Sequence, residues 1–106
     1  MDTVRFDREG PIGIVTIDRP AVRNCIDRET AAGLAEAFRT FEADDDLAVA
    51  VLAGADGCFC AGADLKAVST GLSTGRSATA LRDEGEGPMG PTRMLLAKPV
   101  IAAVEG

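Results

Sequence analysis

The chain has 106 residues, 46% hydrophobic and 26% charged, which is typical of one small globular domain. It contains no His, Tyr or Trp, so a Ser-His-Asp triad, an imidazole metal site and a phenolic acid are excluded within these residues. The formal net charge of −6 argues against a nucleic acid or an anionic membrane as partner, because phosphate binding depends on clustered Lys and Arg.

The first two predicted elements are the strands of an antiparallel hairpin. Thr3–Asp7 alternates apolar and polar residues, and Ile12–Asp18 resumes that period of two after a Gly-Pro turn signal. Arg19–Arg23 has no periodicity and contains a proline, so we expect it to form a loop.

An amphipathic helix is predicted to begin after Asp27. Its apolar stripe has the helical spacing of three and four residues and consists of Ala31, Leu34, Ala35, Phe38 and Phe41. Asp27 is a suitable N-cap, and Glu29 places a negative charge at the positive end of the helix dipole. The acidic residues 44–46 then mark a solvated helix exit.

Leu47–Ala53 is apolar at every position and is predicted to be a strand buried on both faces of a parallel sheet. Strand, helix and buried strand together indicate a right-handed β-α-β crossover. A Gly-rich turn, Gly54–Gly62, and a short helical start at Asp64–Val68 follow.

The last third of the chain is less regular. Residues 68–90 are rich in Gly, Ser and Thr and are interpreted as a mobile surface segment. Pro91 suits the first turn of a helix that continues over Thr92–Ala97, and Val100–Val104 is predicted to be a second buried strand. Because no element that could cover this strand follows it, residues 1–106 are interpreted as the N-terminal part of a larger α/β domain.

The best candidate site is the stretch Cys58–Lys66, which leaves the buried strand at the sheet edge where open α/β folds bind ligands. Small residues flank Gly62, so the backbone is accessible, and the following helix would direct free N–H groups to the same space. Such an arrangement suits a developing oxyanion. A plain strand-to-helix turn with Asp64 as its N-cap fits the same residues.

Four stretches carry a family resemblance: GIVTIDRPAVRNCID (Gly13–Asp27), FEADDDLAVAVLAG (Phe41–Gly54), FCAGADLK (Phe59–Lys66) and KPVIAAVEG (Lys98–Gly106). In this order and spacing the chain resembles the N-terminal portion of the enoyl-CoA hydratase/isomerase (crotonase) superfamily. The resemblance implies an α/β fold with a crotonase-like ββα spiral core, truncated after about its fourth strand.

The resemblance also implies a site for acyl-CoA thioesters. Its catalytic element here would be the backbone N–H of Ala63, which would bind the thioester carbonyl oxygen. The second oxyanion-hole donor, a glycine, and the catalytic glutamates would follow Gly106. The implied protein binds no permanent cofactor, since coenzyme A enters with the substrate, and it assembles as a homotrimer or hexamer.

Further residues would line the path of coenzyme A by the same resemblance. They are Arg23, Ala61, Ala63, Asp64, Leu65 and Lys66. A phosphate contact is reasonable for Arg23 and Lys66 on charge grounds, and a solvated side chain is the alternative for each. Glu105 is interpreted as a surface residue at a strand end rather than as a catalyst.

The predicted function is therefore an enoyl-CoA hydratase-like lyase that adds water to a 2-enoyl-CoA. Isomerisation of an enoyl-CoA or hydrolysis of an acyl-CoA are alternatives, because the acids and bases that separate them lie outside these residues. A third reading is a noncatalytic acyl-CoA-binding or oligomerising fragment. We expect the 106-residue chain alone to be inactive.

The three cysteines do not predict a metal site, because no histidine or fourth thiolate accompanies them. An odd number of cysteines favours a reducing cytoplasm over a disulfide framework. No apolar run approaches the roughly 20 residues that a membrane span needs, and the first residues do not resemble a signal peptide.

Overall fold

The computed structural model describes residues 3–64 and 89–106. Within these residues the strands form one four-stranded sheet in the order β1-β2-β3-β4. The elements are β1 (Val4–Glu9), β2 (Ile12–Ile17), α1 (Arg28–Ala43), β3 (Val49–Gly54) and β4 (Val100–Ala102). The predicted mobile segment 68–90 lies outside the described residues apart from its last two, and so does the helical start beyond Asp64.

The predicted hairpin is confirmed. Strands β1 and β2 pair in antiparallel register from Val4 opposite Ile17 to Glu9 opposite Ile12. Gly10 makes the tight connection with φ of 59°, a left-handed conformation that glycine adopts without a side-chain clash.

The β-α-β connection is also confirmed. Strands β2 and β3 are parallel, with Ile12 opposite Val49 and Ile17 opposite Gly54, and α1 connects them. This pairing brings the carboxyl ends of both strands to the same edge of the sheet, where the loops that follow each strand meet.

Helix α1 begins and packs as its sequence pattern predicts. A carboxylate oxygen of Asp27 accepts a hydrogen bond of 2.8 Å from the backbone N–H of Thr30. All five residues of the predicted stripe are buried, and they join Val15, Ile17 and Ala50 of the sheet in the core. The rings of Phe38 and Phe41 meet edge to face at 6.5 Å between centroids.

The predicted burial of β3 on both faces is wrong. Ala50 is fully buried against the helix side, whereas Val51 on the opposite face is only half-buried. The register places Ile14, Val51 and Ile101 in one row on that opposite face. Within the described residues α1 packs on one face only, so this apolar row has no second layer over it.

The last predicted strand forms but is not buried. Strand β4 pairs in parallel with β3, with Ile101 opposite Val51, and is shorter than the predicted Val100–Val104. Ile101 is 58% exposed and Val104 is 68% exposed. The cause is its edge position, because no described element covers either of these side chains.

The helix predicted over Pro91–Ala97 is also wrong beyond its first turn. Pro91–Arg93 forms a single 3-10 turn, and the chain is extended at Met94. Contacts with α1 keep the segment after this turn non-helical. The N–H of Ala97 donates to the Glu42 carboxylate at 2.8 Å, and the Lys98 ammonium donates to the carbonyl of Phe41 at 3.0 Å. These contacts compete with helical hydrogen bonds and also satisfy a carbonyl at the end of α1.

Candidate functional site

The candidate site lies where the loop after β2 meets the loop after β3. Ile26 and Ala63 form an isolated parallel bridge between the two loops. The N–H of Ile26 donates to the carbonyl of Gly62, and the N–H of Asp64 donates to the carbonyl of Ile26, both at 2.8 Å. The backbone on each side of Ala63 is therefore tied to the same residue.

These two bonds determine the direction of the Ala63 amide. Because a trans peptide is planar, its N–H points opposite to its C=O, and the Gly62 carbonyl points at Ile26. The Ala63 N–H therefore points away from Ile26. No group within residues 3–64 and 89–106 accepts a hydrogen bond from it, and Ala63 itself is exposed.

Gly62 allows this arrangement through its backbone conformation. Its φ is 110°, which residues with a side chain rarely adopt. A Cβ built on Gly62 would meet no atom within 4 Å, so backbone strain rather than crowding opposes a larger residue here.

Arg19 is the central side chain of the site, and it is only 17% exposed. One guanidinium nitrogen, Nη1, donates to the carbonyl of Cys25 at 2.6 Å. The other, Nη2, lies 3.2 Å from a carboxylate oxygen of Asp64 and 3.4 Å from one of Asp27. Arg19 thus connects the loop after β2, the N-cap of α1 and the segment that contains Ala63.

The charge of Arg19 also affects the N-cap. Burial raises the pKa of the Asp27 carboxyl, but hydrogen bonding from Thr30 and the Arg19 charge together outweigh it. The pKa of Asp27 therefore lies below its ordinary value of 3.8, and the carboxyl is ionised near neutral pH.

Asn24 is a fully buried polar residue between the same loops. Its side-chain oxygen accepts from the N–H of Arg19 at 2.7 Å, and its side-chain nitrogen donates to the carbonyls of Ala55 at 2.9 Å and Cys58 at 2.6 Å. Its φ of 57° is left-handed, a conformation that Asn tolerates better than most residues. Asn24 therefore fixes the distance between the two loops.

Arg23 lies in the loop after β2 and lines a cavity next to the site. Its side chain is exposed, and no described group pairs with its guanidinium, while its carbonyl accepts from the N–H of Ala61 at 3.0 Å. A shallow cavity of about 330 Å³ is lined by Pro20, Arg23, Ala55, Asp56, Cys58 and Gly106. Ala63 is not part of this lining.

The remaining predicted site residues divide into two groups. Leu65 and Lys66 lie outside the described residues. Ala61 and Asp64 are brought next to Ala63, but the Ala61 amide is bound by Arg23, and the Asp64 amide and carboxylate are bound by Ile26 and Arg19. Glu105 is exposed, and its carbonyl accepts from the N–H of Phe59 at 2.9 Å.

The cysteines are free thiols, all half-buried. In the described part of the chain, no group of three His, Cys, Asp or Glu side chains could hold a metal ion. Among the described helices, none is long and apolar enough to cross a membrane.

Sequence reasoning missed Arg19 and Asn24. Both fall in a stretch without periodicity, where apolar patterning carries no signal. Arg19 was assigned to a loop, and nothing local indicates that its partners lie 6, 8 and 45 residues away. A buried Asn with left-handed φ likewise leaves no pattern in the neighbouring residues.

Comparison with known proteins agrees with this fold. Residues 7–106 match the family described as enoyl-CoA hydratase/isomerase, and the chain therefore belongs to that family. Enoyl-CoA hydratase EchA19 of Mycobacterium tuberculosis is 40% identical over 104 residues, which are 94% of this chain and 38% of that protein. Carnitinyl-CoA dehydratase of Salmonella arizonae is 42% identical over 108 residues, which are 99% of this chain and 39% of that protein.

Solved structures give the same result. A crystal structure of an enoyl-CoA hydratase from Mycobacterium tuberculosis superposes with a TM-score of 0.85 at 39% identity, covering 100% of this chain and 39% of that one. A probable enoyl-CoA hydratase/isomerase from Mycobacterium abscessus gives 0.83 at 38% identity, covering 100% of this chain and 38% of that one. The fold is thus the crotonase fold, and the chain spans less than two fifths of the length of these relatives.

Proposed function

We propose that the protein containing this chain is an enoyl-CoA hydratase-like lyase, and that the Ala63 N–H is one donor of its oxyanion hole. The observation that carries the proposal is the direction of that amide. Ile26 takes the hydrogen bonds on both sides of Ala63, and the N–H between them has no acceptor among the described residues. A donor fixed in direction and left open suits an oxygen on which negative charge develops.

The proposed reaction is the addition of water to a 2-enoyl thioester. The carbonyl oxygen accepts a hydrogen bond from the Ala63 N–H, which withdraws electrons from the conjugated double bond. Water attacks the β-carbon, the enolate forms on the thioester oxygen, and a proton is then delivered to the α-carbon. The product is a 3-hydroxyacyl thioester, and loss of water from such a product is the same reaction in reverse.

The names of the two relatives support this chemistry. One is an enoyl-CoA hydratase and the other a carnitinyl-CoA dehydratase, so addition and elimination of water next to a CoA thioester occur among proteins similar to this chain. The second oxyanion donor and the groups that move the proton are not assigned within residues 1–106.

Coenzyme A would be bound along the surface that leads to Ala63. The side chain of Arg23 supports this location, because it is exposed and has no partner among the described residues, so a phosphate of coenzyme A could approach its guanidinium. We include Ala61, Ala63, Asp64, Leu65 and Lys66 in this path on the family resemblance, with the Asp64 carboxylate held by Arg19. The proposal also includes assembly as a homotrimer or hexamer and a cytoplasmic location, and light scattering tests the first of these.

Two other functions remain candidates because they use the same oxyanion hole. An enoyl-CoA isomerase would convert a 3-enoyl to a 2-enoyl thioester, and an acyl-CoA hydrolase would release free coenzyme A. A third candidate, which needs no oxyanion hole, is a noncatalytic acyl-CoA-binding or oligomerising fragment. Product analysis with 2-enoyl-CoA and 3-enoyl-CoA, using the protein expressed from its complete reading frame, distinguishes them.

The backbone donor itself can be tested by replacing one amide with an ester. An ester in place of the Ala63 amide removes the N–H and keeps the side chain, and we expect kcat to fall by about 100- to 1000-fold. Ala48 provides the matched control, because its N–H donates inside the protein to the carbonyl of Pro11 at 2.8 Å, away from the site. An ester there should lower stability and leave kcat of the folded protein within a few-fold. Normal turnover with the Ala63 ester would refute the proposed role.

A further inference from the structure

The side chain of Arg19 makes more contacts within the protein than a solvent-exposed loop arginine does. It is 17% exposed, and it contacts one backbone carbonyl and two carboxylates. Asp64, one of these carboxylates, directly follows Ala63. Asp27, the other, caps a helix that is anchored in the core by its buried stripe.

The hydrogen bonds that orient Ala63 are few. Ile26 and Ala63 form a single bridge outside any strand, with one bond on each side. The nearest further backbone bond between the two loops runs from the Ala61 N–H to the Arg23 carbonyl, so this pairing has fewer bonds than a strand pair and opens more readily. Hydrogen bonds between ionised groups are stronger and more directional than neutral ones, and Arg19 supplies such a bond to Asp64.

The planar fork of a guanidinium suits this task. Nη1 donates to the Cys25 carbonyl, while Nη2 lies beside both carboxylates. Arg19 therefore holds Asp64 in a fixed position relative to the loop after β2 and to the start of α1. A lysine would bring one charge without this fixed geometry.

We propose that Arg19 is a positioning residue for the oxyanion donor: by holding Asp64 against Asp27 and Cys25, it keeps the Gly62–Ala63 peptide in the orientation that directs the Ala63 N–H at the thioester oxygen. This inference rests on the proposed function, because it assigns a task to Arg19 within that site. In this role Arg19 acts through Asp64 rather than through contact with the substrate.

The competing explanation is that Arg19 only closes the loops and contributes stability. The two explanations differ in one observable, the polarisation of the bound carbonyl. A 2-enoyl-CoA with an electron-donating aryl group on its β-carbon reports this, because its absorption band moves to longer wavelength when the carbonyl oxygen accepts strong hydrogen bonds.

The test compares four variants with the wild type, each expressed from the complete reading frame: two single substitutions in the Arg19–Asp64 contact, their double variant and one control. Arg19→Met removes the guanidinium, and Asp64→Asn removes the charge that it holds. Arg8→Met is the matched control, since Arg8 pairs with Asp44 on the hairpin side, away from the site. For each protein, the band shift, the dissociation constant of the thioester, kcat and KM are measured below the unfolding temperature.

If the inference holds, Arg19→Met and Asp64→Asn bind the thioester within a few-fold of wild type but lose most of the band shift. Their kcat falls by about 10- to 100-fold, the size of effect expected when a catalytic group is displaced by about 1 Å. The double variant is no worse than the poorer single variant, because both act through one contact. Arg8→Met retains the band shift and kcat.

Two results would overturn the inference. A folded Arg19→Met protein with a full band shift and wild-type kcat would mean that Arg19 does not orient the donor. If Arg19→Met does not fold, an Asp64→Asn protein with a full band shift and wild-type kcat has the same meaning. Failure of the proposed function is distinguishable from both, because the wild type would then bind without any band shift.

Discussion

Two regions of the described sheet differ in the contacts that their side chains make: the loops after β2 and β3, and the edge strand β4. At the carboxyl ends of β2 and β3, the loops are joined by buried polar groups, including Asn24 at 0% exposure, whose side-chain oxygen and nitrogen both have hydrogen-bond partners. At β4, apolar side chains such as Ile101 are in register with the sheet but exposed. The first region is stabilised by specific contacts already present, and the second presents a surface that is favourable to bury.

The comparison shows that buried side chains in this chain are not always apolar, and that apolar side chains are not always buried. The site region contains few large apolar side chains, and its geometry depends on Arg19, Asn24 and the backbone of Ile26. The β4 region has the apolar sequence of a core strand without a core around it. Substitutions should therefore have large effects in the polar region and small effects on the stability of the apolar one.

The largest effect is expected from Gly54→Ala. A Cβ on Gly54 would collide with the backbone carbonyls of Cys58 and Phe59, which cannot move without displacing the loop of the site. We expect a loss of about 4 kcal/mol or more in the free energy of unfolding, measured by urea titration. Gly57→Ala is the control: its Cβ meets nothing, so only its φ of 77° costs about 1–2 kcal/mol. Equal losses of stability at both positions would contradict the idea that the collision at Gly54 causes the larger effect.

Asn24→Ala should be the next most damaging change. It leaves the carbonyls of Ala55 and Cys58 and the N–H of Arg19 without their partner, and it places Ala in a left-handed conformation. About 3 kcal/mol of stability should be lost. Asn24→Gly separates the two causes, because it removes the same bonds without backbone strain and should be about 1 kcal/mol less damaging. A glycine variant that matches wild type would show that the hydrogen bonds contribute nothing.

A smaller effect depends on pH. Because the pKa of Asp27 is lower in the folded protein than its ordinary 3.8, its carboxylate stabilises the fold above that pH, and this contribution disappears as the pH falls through the folded pKa. Asp27→Asn keeps an N-capping side chain but cannot titrate. Wild type should be the more stable by about 0.5 kcal/mol near neutrality, the usual size of a negative charge at a helix N-terminus, and the difference should disappear in urea titrations as the pH falls below the folded pKa. A constant difference at all pH values would exclude this carboxyl as the cause.

The smallest change in stability is expected on the apolar side. Ile101→Asn alters an exposed residue on the open face, so the free energy of unfolding of chain 1–106 should change by less than about 0.5 kcal/mol. Its effect should instead be on association: we expect the wild-type chain to self-associate and the variant to do so less, as measured by analytical ultracentrifugation. Thr40→Asn on exposed α1 surface is the control. A monomeric wild-type chain would contradict the expectation.

The sequence predicted the elements whose signals are local. The alternation in β1 and β2 and the stripe from Ala31 to Phe41 each reflect which side chains face the core, and these elements formed as expected. The helix after Pro91 was predicted from local pattern alone and failed, because Glu42 and Lys98 hold that segment against α1. Position 63 is proposed as the oxyanion donor on the family resemblance. The contacts that orient its amide join residues that are distant in sequence, so local pattern does not indicate them.

A donor that belongs to the main chain has a consequence for mutational scanning. If Ala63 acts through its backbone N–H as proposed, most side chains could replace this exposed residue with little loss, and a deep scan would record position 63 as permissive. The intolerance would instead appear at Gly62, whose φ of 110° residues with a side chain rarely adopt, and at Ile26, which pairs with Ala63 in the bridge. The proposed oxyanion donor would show in such a map as a tolerant position with sensitive neighbours.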